Sequence, residues 1–398
     1  MKLRLGPGAL VAAAFIGPGT VTACTLAGAN FGFALIWTLV FATLATITLQ
    51  DMSARLGAGA GLGLGEALMA QAGPVWSKAL IGGLVFAALV VGNAAYQAGN
   101  LAGGALGLEA LAGGDQRTRV SVIAAIAGAV LLIGRYKALE RVLIGLVLVM
   151  SATFAIAAVL SRPDLGALAA GLVPRIPEGG WLTAVALVGT TIVPYNLFLH
   201  AAAARERWAG DVASAQADTR LSIGLGGLVS ILILTTAAGA LFGAGADVSS
   251  AADMARGLEP TLGSAADYVI GVGLFAAGLT SAITAPMATA YVVAELVGVR
   301  DQPRRRRLFR IVSLAVLVIG AAVALSGVRP VALILIAQAA NGILLPIVAV
   351  FLLIVMNRRS LLGDHANGAA ANIAGWTVVA LAFALGARGV LRAAGVWP

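Results

Sequence analysis

Two short runs hold most of the polar chemistry of this chain, and each sits inside an apolar stretch. The first is Gly17-Pro18-Gly19-Thr20, and the second is Thr190-Thr191-Ile192-Val193-Pro194-Tyr195-Asn196. A proline removes a backbone donor and clashes with the preceding turn, so each run predicts a broken helix. Unpaired backbone groups are costly in hydrocarbon, so such breaks persist only where they line a cavity or a bound solute. Gly17 and Gly19 let a solute reach backbone N–H groups with no Cβ in the way. Thr20, Thr190, Thr191 and Tyr195 add hydroxyls, and Gln97, Asn196 and Gln338 add amides that both donate and accept. These groups are all neutral. Glu66, Glu109, Glu140, Asp267 and Glu295 fall at or beyond the ends of apolar segments, so no metal-ligand cluster is expected inside one.

The elements that position these runs follow from composition. Apolar residues are 60% of the chain, charged residues 11%, and the mean hydropathy is +0.98. Soluble domains carry about 25% charged residues, so an all-α polytopic membrane protein is expected. About eleven segments reach spanning length, near 9–29, 33–52, 78–107, 119–135, 139–160, 181–204, 221–243, 266–297, 309–326, 330–356 and 371–391. They leave no room for a soluble domain, and residues 1–398 form a single transmembrane domain. The first segment is too long for a cleaved signal peptide. Cys24 is alone and is read as an inert buried thiol. The glycine-rich stretch from Gly57 to Gly65 lacks the ending of a phosphate-binding loop and is read as a flexible connector.

The net charge of +9 and the run Arg304-Arg305-Arg306-Arg307 suggest nucleic acid at first sight. The positive-inside rule accounts for them better, because most of the 26 Lys and Arg fall on the side that holds the N-terminus. The expected topology is an inner-membrane protein with its N-terminus cytoplasmic and its C-terminus outside, with no nucleic-acid partner. The arginine run is then a topology anchor in contact with the lipid bilayer. The breaks at Pro18 and Pro194 each open a block of five spans, about 9–160 and 181–356, with an extra helix at about 371–391. An odd number of spans makes the second block enter from the opposite side. That arrangement is an inverted repeat with its site at the midplane. No phosphate loop or nucleophile–base pair is present, so no enzyme is expected.

The motifs resemble those of the Nramp family of metal-ion transporters. Gly6-Pro7-Gly8, Gly17-Pro18-Gly19-Thr20 and Ala27-Gly28-Ala29-Asn30-Phe31-Gly32 match its start. Leu49-Gln50, Ala54-Arg55-Leu56-Gly57, the run from Gly189 to His200, Gly278-Leu279-Thr280-Ser281, and Ala337-Gln338 through Leu345-Pro346 continue the match. The resemblance implies the LeuT-type fold, five plus five helices and an eleventh, with helices 1 and 6 broken, and transport by alternating access. The departures fall on the binding residues. Gly17 and Thr20 stand where the family has Asp and Asn, and Thr190, Val193 and Tyr195 stand where it has Ala, Met and His. The acids it carries in the third helix are absent from Val91-Gly92-Asn93-Ala94-Ala95-Tyr96-Gln97-Ala98-Gly99-Asn100. Thr280, Ser281 and Thr284 resemble the hydroxyls that bind sodium in LeuT-type transporters, with the carbonyl near Ile16 completing the set.

A divalent cation usually needs a carboxylate, and this site offers none. Exposed helix N-termini, hydroxyls and amides suit a small anion instead. The favoured cargo at this level is therefore a small inorganic anion such as bicarbonate, with sodium as the coupling ion and no other cofactor. A magnesium or manganese ion that stays largely hydrated is the alternative, and a neutral small solute is a further one. A non-transporting sensor lacks any attached signalling domain. His200, which titrates near neutrality, is the candidate proton relay. The oligomeric state stays open, a monomer included.

Overall fold

The computed structural model describes residues 16–134, 137–243, 248–299 and 301–393. All regular structure among them is helical. The chain runs through α1 (Pro18–Phe31), α2 (Ile36–Ala60), α3 (Leu64–Gln71), α4 (Val75–Ala112), α5 (Gln116–Ile133) and α6 (Lys137–Leu160). Next come the short α7 (Leu165–Ala170), then α8 (Trp181–Thr191), α9 (Pro194–Arg207) and α10 (Val212–Leu241). Two short helices, α11 (Ala251–Ala255) and α12 (Glu259–Leu262), precede α13 (Ala265–Val297), α14 (Gln302–Ala324) and α15 (Pro330–Met356). The last are α16 (Arg359–Leu362) and α17 (Ala369–Ala393).

Nine helices among the described residues are long and apolar enough to cross a membrane, counting α8 and α9 as one interrupted span. α1 and α2 occupy the first two expected segments, although residues 9–15 lie outside the described residues. Large apolar side chains such as Val149, Ile156, Val318 and Phe383 point outward, as a lipid-facing surface requires.

Small residues set the helix contacts. A Cβ on Gly278 of α13 would sit 2.5 Å from the Cα of Gly104 in α4, so these two helices touch backbone to backbone. A Cβ on Gly28 of α1 would sit 2.4 Å from the Leu234 carbonyl oxygen of α10. The same contact joins Gly57 of α2 to the Ala201 carbonyl of α9 at 2.1 Å, and Gly189 of α8 to the Gln338 carbonyl of α15 at 1.9 Å. The stretch from Gly57 to Gly65 therefore differs from the expected connector. Gly57 to Ala60 form the last turn of α2, Gly61 caps it with φ +65°, and α3 begins at Leu64. Packing against α9 holds this glycine-rich turn helical despite its low helix propensity.

Candidate functional site

Each of the two prolines opens a helix where the sequence places it. α1 begins at Pro18, with Gly17 extended at φ −100° and its carbonyl accepting from the N–H groups of Thr20 and Val21. α8 stops at Thr191, Ile192 and Val193 leave helical geometry, and Pro194 opens α9. The two breaks meet directly. Thr20 Oγ1 and Thr190 Oγ1 lie 2.8 Å apart and share a hydrogen bond. Ile16 is buried just ahead of the first break. Thr191 donates to the Leu187 carbonyl one turn back, and its own carbonyl receives a long bond from Thr46 at 3.4 Å.

Gln338 ties both breaks to α15. A Cβ on Gly19 would sit 2.0 Å from its Nε2, so the amide lies flat against the Gly19 backbone. Its main-chain carbonyl meanwhile faces Gly189. Tyr195 stacks at a tilt on Tyr96 of α4, with ring centroids 5.7 Å apart. Its hydroxyl lies beside those of Tyr96 and Thr284 but makes no hydrogen bond of good geometry. Both amide atoms of Asn196 and of Gln338 are likewise without a hydrogen-bond partner.

These groups are sealed from solvent. Thr20, Tyr195 and Gln338 are 0% exposed, and Thr190, Thr191, Val193 and Asn196 are 1%. A buried polar group left unsatisfied costs about 1–3 kcal/mol. Five such atoms, on Tyr195, Asn196 and Gln338, belong to the residues at and beside the breaks, which marks this region as the candidate place for a polar solute.

Other expected site residues are placed elsewhere or differently engaged. Gln97 donates to the Ala282 carbonyl of α13 and packs against Gly320 of α14, facing away from the Gln338 side of α4. Thr280 and Thr284 donate to the Ala276 and Thr280 carbonyls of their own helix, leaving oxygen lone pairs as their remaining capacity. Ser281 lies beside the Tyr96 hydroxyl. His200 is clamped between α2 and α10, with Nδ1 2.8 Å from Gln50 Oε1 and Nε2 3.4 Å from Thr219 Oγ1. That pairing seats Nδ1–H as the donor to Gln50. Asn93 of α4 donates to Thr289 of α13 and so joins two helices.

Two participants were not among the expected site residues. Tyr96 lies within the quoted third-helix run, and its place beside Tyr195 depends on the crossing of α4 and α9. Asn341, one turn after Gln338, is buried with its Nδ2 unpaired. Its position three residues along the same helix was the available signal.

The sequence matches the family described as natural resistance-associated macrophage protein-like over residues 8–392. The chain belongs to the Nramp family. It is 27% identical over 395 residues to a divalent metal cation transporter of Deinococcus radiodurans, covering 96% of this chain and 88% of that one. A divalent metal cation transporter of Klebsiella pneumoniae is also 27% identical, covering 97% of this chain and 93% of that one. Among solved structures, the manganese transporter of Eremococcus coleocola superposes with a TM-score of 0.77 at 22% identity, over 96% of this chain and 84% of that one. MhsT in complex with L-phenylalanine superposes at 0.62 and 14% identity, covering 98% of each chain. These two share the fold, the LeuT-type arrangement with broken first and sixth helices. This Nramp-family chain is thus a membrane protein whose relatives are transporters.

Proposed function

We propose that this Nramp-family chain carries a divalent metal cation by alternating access, the ion keeping most of its water shell while held between the two breaks. The observation that carries this reading is the nearly end-to-end match to curated proteins named divalent metal cation transporters. The site sets the form of the cargo. It offers neutral oxygens from Thr20, Thr190, Asn196 and Gln338, and the thioether place is taken by Val193. Without a soft ligand, preference falls on magnesium or manganese over softer metals. Magnesium gives up its water reluctantly, which suits a cage without carboxylates. Sodium coupling through the lone pairs of Thr280, Ser281 and Thr284 belongs to the same proposal.

A second reading, a small oxyanion such as bicarbonate, is favoured by one specific observation. Among the described residues no group of three His, Cys, Asp or Glu side chains could hold a metal. Unpaired amide donors meanwhile lie at two helix starts, Asn196 in the first turn of α9 and Gln338 against Gly19 in the first turn of α1.

Uptake into proteoliposomes separates the two. Magnesium and manganese entry is followed with an encapsulated indicator and bicarbonate with isotope, each with and without a sodium gradient. The first reading expects saturable metal entry, and Thr20→Asp raises apparent metal affinity at least about tenfold. A carboxylate at contact adds several kcal/mol of attraction even at an effective dielectric of about 20. Bicarbonate entry without metal entry, abolished by Thr20→Asp, replaces the first reading with the second.

A further inference from the structure

The first turns of α14 carry five arginines within seven positions, Arg304 to Arg307 and Arg310, and they do not all point the same way. Arg305 is half-buried, and its charge acts on Tyr291 and Glu295 of α13. Arg304 reaches only Asp301, at 4.0 Å. Arg306, Arg307 and Arg310 are exposed, form no ion pair among the described residues, and line a groove of about 690 Å³ with Gln302, Pro303 and Ile311. Three guanidinium groups around one groove match a phosphate, which accepts charge-assisted bonds from several donors at once.

The groove continues into an apolar face. Ile311 is 56% exposed and Val318 64%, and they follow Arg307 by four and eleven residues. Residues so spaced share one side of a helix. A phosphate clamp that runs directly into an aliphatic stripe on a membrane helix has the chemistry of one molecule.

We infer that this face of α14 binds an anionic glycerophospholipid, with its phosphate among Arg306, Arg307 and Arg310 and an acyl chain along Ile311 and Val318. Free phosphate or nucleic acid would use the arginines and leave the aliphatic stripe idle. The lipid also braces the core. α14 is fixed to α13 by the edge-to-face pair Tyr291–Phe309, with centroids 5.0 Å apart, and by Ser313 donating to the Pro286 carbonyl. The site is independent of which ion is carried.

The test uses the full chain, purified and stripped of lipid. Thermal unfolding is followed with added phosphatidylglycerol, phosphatidylcholine, glycerophosphoglycerol (the headgroup without chains), inorganic phosphate or duplex DNA, and retained lipid is read by native mass spectrometry. Phosphatidylglycerol alone should raise the midpoint. R306A/R307A/R310A should weaken its binding roughly a hundredfold, about fivefold per arginine. R306K/R307K/R310K should restore part of it and controls for folding. An equal response in the alanine variant overturns the inference. So does an equal shift with phosphate or glycerophosphoglycerol, or displacement of the lipid by DNA.

Discussion

Adding one methyl group at Gly19 or at Gly189 should have opposite consequences. At Gly19 the new Cβ would meet the Gln338 Nε2 at 2.0 Å, against an ordinary contact of at least 3.4 Å. The amide at the far end of a flexible side chain must then retract by roughly 1.4 Å, a rotamer change of order 1 kcal/mol. Alanine's better helix propensity offsets up to about 1 kcal/mol of this. Gly19→Ala should therefore fold with near-native stability while moving the Gln338 side chain that rests on the first turn of α1. Transport should fall at least about tenfold, and Gly19→Ala with Gln338→Ala should be no worse than Gln338→Ala alone. At Gly189 the methyl meets the main-chain carbonyl of Gln338 at 1.9 Å and the Gly342 nitrogen at 2.5 Å, neither of which can rotate away. α8 and α15 must separate, an overpacking cost of about 1–3 kcal/mol or more. Thermal unfolding in detergent and uptake in proteoliposomes, measured side by side, check both halves. Unimpaired transport in Gly19→Ala, or a Gly189→Ala protein as stable as wild type, refutes the reasoning.

Three further outcomes are expected. A double-mutant cycle on Thr20→Ala and Thr190→Ala should give a coupling energy of about 1 kcal/mol for their shared hydrogen bond, and zero coupling would remove the bridge between the breaks. Tyr195→Phe removes a buried hydroxyl that has no good partner, so stability should hold or rise while transport falls, and unchanged transport would exclude the hydroxyl from cargo binding. Asp253, between spans, is pushed up by burial and more strongly down by hydrogen bonds from Ser250 and Ser249, so its carboxyl titrates below the usual range. Its stabilising contribution is full above the ordinary carboxylate value of about 4 and fades as pH falls through its lowered one. Asp253→Asn should cost about 2 kcal/mol at neutral pH, read by proteolysis of residues 248–258, and the acid sensitivity should vanish with it.

The breaks were legible because proline acts locally. Pro18 and Pro194 each open a helix, whereas Pro286 and Pro346 sit inside continuous ones, so proline marks a break here only together with its extended neighbours. Thr20 and Thr190 were read as members of one site, and their hydroxyls lie 2.8 Å apart. Spans were legible from apolar length. Direction around a helix was not. Gln97 reads as a site residue in the sequence, yet it turns to Gly320 of α14. That choice depends on where three helices cross. The run from Gly57 to Gly65 was misread for the same reason, since its order comes from α9 and not from its own residues. Composition also leaned toward an anion, whereas whole-chain similarity leans toward a metal. The two disagree because a neutral cage of oxygens and amides serves a hydrated cation and an oxyanion with nearly the same atoms.

The two halves of the interrupted sixth span are gripped by different backbone contacts, though Thr46 of α2 also reaches the end of α8. α8 is locked to α15 through Gly189, and α9 is locked to α2 through Gly57, each at backbone contact. Close backbone packing leaves each half little room beside its partner. Ile192 and Val193 are the non-helical residues between the two halves, so a change of angle between α8 and α9 falls on their dihedrals. Two adjacent residues outside helical geometry are the soft point of an otherwise rigid span, and a bend there would re-aim α9 while leaving the length of both halves unchanged.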